Sequence, residues 1–183
     1  MPRIAPQQAP FPRALQAWLD SGGAPPLVLF TTVGRSERAW TKFSGGALLD
    51  RASPLSLRQR ELVIDRTSAR TGCEYEWGVH VQIFAERAGL SPEEIAGTLI
   101  HPLPPGRWPE AEYALLTAVD ALCDRSTLSD SEFEDLKRHY SDDQILEVIQ
   151  LTAFYHQVAF LANGLALPLE PNAARFNDYR GPS

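Results

Sequence analysis

Polar residues that open helices alternate along the chain with apolar residues three and four apart, and that pattern predicts helix almost throughout. Four starts carry a Ser-x-x-Glu/Gln spacing: Ser56 with Gln59, Ser91 with Glu94, Ser129 with Glu132, and Ser141 with Gln144. In such a box the serine hydroxyl accepts from a backbone N–H of the first turn, and the Glu or Gln side chain returns to the serine's own N–H. Pro92 then stands at the favoured first helical position. The pattern predicts helices over residues 13–20, 36–49, 57–71, 73–88, 110–123, 132–140 and 142–163. Gly22-Gly23 stops the first, Gly72 breaks the chain between two of them, and Gly89 and Gly164 end others. Residues 27–33 are ambiguous, because Val, Phe and Thr favour strand while every neighbour reads as helix. Residues 101–109 form a loop with four prolines. No hairpin signal and no repeat interrupts the picture, so the fold class is all-α, a helical bundle. The organisation is a proline-rich arm at residues 1–12, disordered or lying on a neighbour, one helical domain at 13–167, and an irregular tail at 168–183.

Composition narrows the function more than the fold. With 183 residues the chain makes one domain, and a domain of that size buries roughly 70% of its unfolded surface. A net charge of −6 without a Lys/Arg block argues against nucleic acid as the main partner. Cys73 and Cys123 are 50 residues apart with no CxxC, which fits a reducing, cytoplasmic setting rather than a disulfide framework. The N-terminus lacks an apolar leader core, so no secretory signal is expected. Residues 151–169 are apolar enough to span a bilayer by length, but a central helix buried on all sides is the expectation, and no membrane partner.

Candidate chemistry concentrates in residues 57–80. Read as helix, Cys73, Glu76 and His80 fall at i, i+3 and i+7 on one face. One helix earlier, Leu57, Glu61, Ile64 and Ser68 form an inward stripe with a carboxylate in it, which needs a partner. A thiol, two carboxylates and an imidazole then converge, and such a set supports acid/base chemistry. Each residue also has a plainer reading. His80 is either a structural histidine or an acid/base held by Glu76 one turn earlier. Glu76 is either that orienter or a solvated charge. Glu61 is either a partner of Arg58 or Arg66 or a general acid/base held near His80. Cys73 is either reactive or a small buried residue. Trp77 and Phe84 are core or interface, with Trp77 also a candidate for substrate contact, as are Tyr155 and Arg60. His156 reads as facing either the pocket or solvent, while His101 and His139 read as solvated. No HExxH or Glu-x-x-His pair is present, so no metal is expected. A serine elbow and a glycine-rich phosphate loop are also missing.

Arg60-Glu61-Leu62-Val63-Ile64, then Tyr75-Glu76-Trp77 with His80, then Ala88-Gly89-Leu90-Ser91 and Glu93-Glu94-Ile95, resembles the carboxymuconolactone decarboxylase superfamily, which includes the alkyl hydroperoxide reductase D proteins. The resemblance is strongest over residues 57–100 and fades toward 167. It implies a paired-helix core, a trimer or hexamer of identical chains, and helix for residues 27–33. It also implies a proton-relay role for Glu61, nineteen residues before His80. The peroxidase branch carries a CxxC with the histidine four residues after its second cysteine. Here Cys73 fills the first place and Glu76 the second, so the resolving thiol is missing. The expectation is a cofactor-free lyase of the decarboxylase branch, active on a small carboxylated lactone or enolisable acid of aromatic catabolism. The alternatives are a thiol-dependent redox protein using Cys73 and a non-catalytic oligomer.

Overall fold

The computed structural model describes residues 1–21, 26–46 and 48–180. Among them are ten helices and no strand. They are α1 (Arg13–Asp20), α2 (Val28–Val33), α3 (Glu37–Ser44), α4 (Leu57–Arg70), α5 (Glu74–Ala88), α6 (Pro92–Thr98), α7 (Glu110–Arg125), α8 (Asp130–Lys137), α9 (Asp142–Gly164) and α10 (Phe176–Tyr179). All four serine boxes form as reciprocal caps, at the starts of α4, α6, α8 and α9. Residues 27–33 resolve to the helix α2, whose Leu29, Thr31, Thr32 and Val33 are buried. There, tertiary burial overrides strand propensity. The expected stop at Gly22-Gly23 lies outside the described residues. The helix expected to reach residue 49 ends at Ser44, where Gly45 caps it.

The core is built around α4. Every residue from Glu61 to Ser68 is buried, because α5, α7 and α9 all pack on this one helix. A helix covered on several sides has no single inward stripe. Gly72, with φ +62°, makes the corner that turns the chain back from α4 into α5. The expected break at Gly72 therefore sets α5 beside α4, and Cys73 becomes the N-cap of α5.

The long helix α9 has the length and composition of a membrane span. Its Val148, Leu151, Tyr155, Val158 and Ala162 are buried in the core, but the burial expected on all sides is not found, because only one side of the helix packs on the domain. Leu146 and Phe160 on its other side are 56% and 73% exposed.

Both ends of the chain lie on the domain. Arg3 donates its backbone N–H to Leu165 O and its guanidinium to Gly164 O, both at 2.8 Å, and Gln7 N–H donates to Thr31 O at 3.0 Å. The arm thus runs along its own chain. The tail, expected to be irregular, contains the single turn α10. Phe176 and Tyr179 pack edge-on to Trp77 at 5.1 and 5.4 Å, and that burial orders the turn. At Gly78 the strap comes so close that an added Cβ would meet Ala174 O at 2.3 Å.

Candidate active site

The site lies where α4, α5 and α9 meet. His80 of α5 stands between three polar groups. Its Nδ1–H donates to Glu61 Oε2 of α4 at 2.7 Å. Its Nε2 lies 3.2 Å from the Tyr155 hydroxyl of α9 and 3.3 Å from Glu76 Oε1, one turn earlier on α5. The Tyr155 ring stands perpendicular to the imidazole at 5.2 Å, and Phe84 leans on it at 5.2 Å. Exposure rises from Glu61 (1%) through Tyr155 (2%) and His80 (4%) to Glu76 (8%), so Glu76 marks the side nearest solvent.

The electrostatics follow from this packing. Burial opposes charge on the His80 imidazole, but Glu61 and then Glu76 outweigh it and hold the ring well above its usual range. The raised value favours the charged ring, with Nδ1 on Glu61 and Nε2 toward Glu76 and Tyr155. Tyr155 is pushed well up by burial and by Glu76 and Glu61, while Arg60 pulls it down. Arg60 is half-buried, donates to Asp50 O at 2.9 Å, and leaves its buried Nε without a protein acceptor.

The other sequence candidates separate. Cys73 is fully buried, and burial pushes its thiol up to about 12. Both Cys73 and Cys123 are free thiols. Trp77 turns toward α6 and α10, where its Nε1–H donates to Thr98 Oγ1 at 3.0 Å. His156 stacks on the exposed Phe160 at 5.7 Å. Glu61 pairs with His80 rather than with Arg58 or Arg66. Arg58 is taken by Glu94 and Glu112, and Arg66 by Asp120. Among the described residues, no group of three or more His, Cys, Asp or Glu side chains is placed to hold a metal ion.

Asp65 was not on the list. It follows Glu61 by one turn of α4, is 1% exposed, and accepts no protein hydrogen bond at either oxygen. Burial, and then the charge of Glu61, pushes its carboxyl well above the usual range, with Glu76 adding and His80 opposing. The signal was available as an i, i+4 carboxylate pair on α4.

A buried Glu–His–Glu set closed by a tyrosine, carried on three helices of an all-α domain, defines a helical protein with an acid/base centre. The Carboxymuconolactone decarboxylase family matches residues 35–120, a span that holds Glu61, Cys73, Glu76 and His80. Over that span, just under half of its 183 residues, the chain is similar to the carboxymuconolactone decarboxylases. Among solved structures it is similar to an Agrobacterium tumefaciens protein of unknown function, a candidate AhpD antioxidant-defence protein. That match has 25% identity and a TM-score of 0.67, over 74% of this chain and 93% of that one. It is also similar to an alkylhydroperoxidase AhpD-core, peroxidase-related protein of Ralstonia eutropha, at 20% identity and TM-score 0.75, over 92% and 93% of the two chains. The debrominase Bmp8 matches at 18% identity over 92% of each chain, with TM-score 0.73 for a cysteine-to-alanine variant bound to 2,3,4-tribromopyrrole. At 18–20% identity these last two likenesses show the fold. No curated protein matches the chain.

Proposed function

We propose that the protein is a cofactor-free acid/base enzyme of the decarboxylase branch, acting on a small carboxylated lactone or enolisable acid. The observation that carries this reading is the buried His80 ring, whose Nδ1 lies 2.7 Å from Glu61 Oε2 and whose second nitrogen faces Glu76 and Tyr155. In such a reaction the bond to the departing carboxylate breaks, carbon dioxide leaves, and the electron pair moves into an adjacent carbonyl as an enolate. His80 Nε2 then gives its proton to the carbon, the enolate collapses to the carbonyl, and solvent reprotonates the ring on the Glu76 side. Glu61 keeps the ring oriented and charged until transfer. The Tyr155 hydroxyl lies 3.2 Å from the same nitrogen, and its oxygen accepts from Nε2–H while the ring holds that proton. Arg60 suits a substrate carboxylate, since its Nε has no protein acceptor and its charge already reaches Tyr155. The exposed Leu146 and Phe160 on α9 fit the assembly of identical chains.

The thiol reading rests on Cys73 at the N-cap of α5, a position that ordinarily activates a thiol. Its burial and its value of about 12 leave little thiolate at neutral pH. Thiol titration before and after peroxide separates the two readings: an unchanged titre excludes thiol turnover.

The test is carbon dioxide release from γ-carboxymuconolactone by wild type and His80→Ala. The expected outcome is wild-type turnover that falls about 10²- to 10⁴-fold in the variant. Turnover untouched by the substitution removes His80 from the reaction. No turnover by wild type removes this substrate, and the acid/base centre then belongs to another.

A further inference from the structure

The mechanism above uses Glu61, Glu76, His80 and Tyr155 and leaves Asp65 idle. Yet Asp65 is as deeply buried as Glu61, at 1% exposure, and lies one helical turn from it. Neither of its oxygens accepts a hydrogen bond, and the Ser68 hydroxyl, one further turn along α4, is buried and unpartnered as well. Among the other buried polar residues of α4, Glu61, Arg66 and Thr67 have partners. An acid kept without partners beside an ion pair is placed there for its charge state.

The groups that act on Asp65 come from every side of the site. They are Glu61 on its own helix, Glu76 and His80 on α5, and Tyr155 on α9. Toward α7, the carboxylate of Asp120 is already paired with Arg66 and Arg70. With all three carboxylates ionised, the single imidazolium would leave two buried negative charges uncompensated. Keeping the proton on Asp65 halves that excess. Losing it would surround His80 with a third anion and bind the imidazolium proton more tightly, making His80 a weaker acid.

We propose that Asp65 is a positioning residue that acts through His80: its carboxyl holds a proton in the working enzyme, and that proton decides how readily His80 releases its own. The two groups titrate as a coupled pair. This rests on the acid/base reading of the site, but its first test needs no substrate.

The experiment is an NMR titration of the His80 imidazole in wild type and in Asp65→Asn, with the resonance assigned by its loss in His80→Gln. The asparagine keeps the shape and cannot ionise. In wild type, His80 is expected to titrate over a broad, two-step range that reports both groups. In the variant it titrates in one step, at a pH lower by about one unit. Thermal unfolding accompanies it. The variant is expected to be at least as stable as wild type at neutral pH, because it no longer buries an ionisable acid without partners. A folded variant with an unmoved His80 curve overturns the proposal. So does loss of folding in both Asp65→Asn and Asp65→Ser, which would make the residue structural. If wild type also decarboxylates the lactone, the basic limb of its pH–rate profile becomes a single step in Asp65→Asn. A shifted His80 curve without turnover sinks the decarboxylase reading and leaves the coupling standing.

Discussion

Helix α4 carries two buried charge clusters barely a turn apart, and they are built to opposite rules. Arg66 is fully buried, and its guanidinium is saturated: two bonds of 2.6 Å to the Asp120 carboxylate, and bonds of 2.8 and 2.7 Å to Thr98 O and Ile100 O. The Asp120 carboxylate takes the guanidinium in a bidentate fork and also meets Arg70 at 3.3 Å, while two carbonyls and His101 Nδ1 face the remaining donors. The Glu61 cluster has three carboxylates for one imidazolium, and its Asp65 accepts nothing. The first arrangement leaves no proton in play and clamps α4 to α7 and to the end of α6. The second holds protons whose positions depend on one another. Saturation marks structure here, and imbalance marks chemistry.

The largest effect expected from this comparison is on the saturated side. Arg66→Ala leaves Asp120 with Arg70 alone and strands two buried carbonyls, and breaking a buried pair from one side costs about 3–5 kcal/mol. Chemical unfolding should show that loss, and the double change Arg66→Met with Asp120→Asn should recover a good part of it. A loss as small as that of an exposed ion pair would mean that the cluster is not the clamp described.

On the other side, Glu61→Gln should cost about 1.5–3 kcal/mol, the range for a hydrogen bond to a charged group, and the cost should depend on pH. His80 has a raised folded value. Its contribution is complete below 6.5, its unfolded value, and is lost as pH rises through the folded one. Glutamine removes the charge that raises it. The gap in stability between wild type and variant should therefore be widest below pH 6.5 and close as pH rises. A gap that stays constant with pH would show that Glu61 acts as a packing group only.

How much of this was legible in the sequence differs between the two clusters. The helices were, because their starts are written locally: the four serine boxes form where the spacing put them. The pairing of Glu61 with His80 was anticipated as a relay through the family resemblance, and Glu76 at i−4 through helical spacing. Asp65 was missed for a physical reason. The stripe Leu57, Glu61, Ile64, Ser68 was read as the one inward face, whereas α4 is buried from residue 61 to 68 around its whole circumference. Periodicity names a face only when solvent occupies the other one. Arg66 had no sequence partner for the same reason: Asp120 lies 54 residues away on α7. The α10 turn was hidden because its order comes from Trp77, a tertiary contact with no local signal.

The smallest expected effect separates the clusters along the helix that joins them. Ser56 caps α4 by accepting from Gln59 N–H at 3.2 Å, while Gln59 Oε1 accepts from Ser56 N–H at 2.8 Å. Ser56→Ala removes half of that box, and such a loss costs about 1 kcal/mol. The damage should stay near the first turn, since helix ends fray locally before they unfold globally. Arg60 bonds back to Ser56 O at 3.0 Å through its own N–H, and Glu61 follows it, so the imbalanced cluster sits at the frayed end. Arg66 lies more than a turn deeper and is held by side-chain bonds to α6 and α7 as well. Amide exchange should therefore quicken at Arg60 and Glu61 while protection around Arg66 and Thr67 is kept, and the His80 titration should move slightly in the direction seen for Glu61→Gln. Equal loss of protection at both places would mean that α4 opens as one unit and that the two clusters, however differently built, share a single stability.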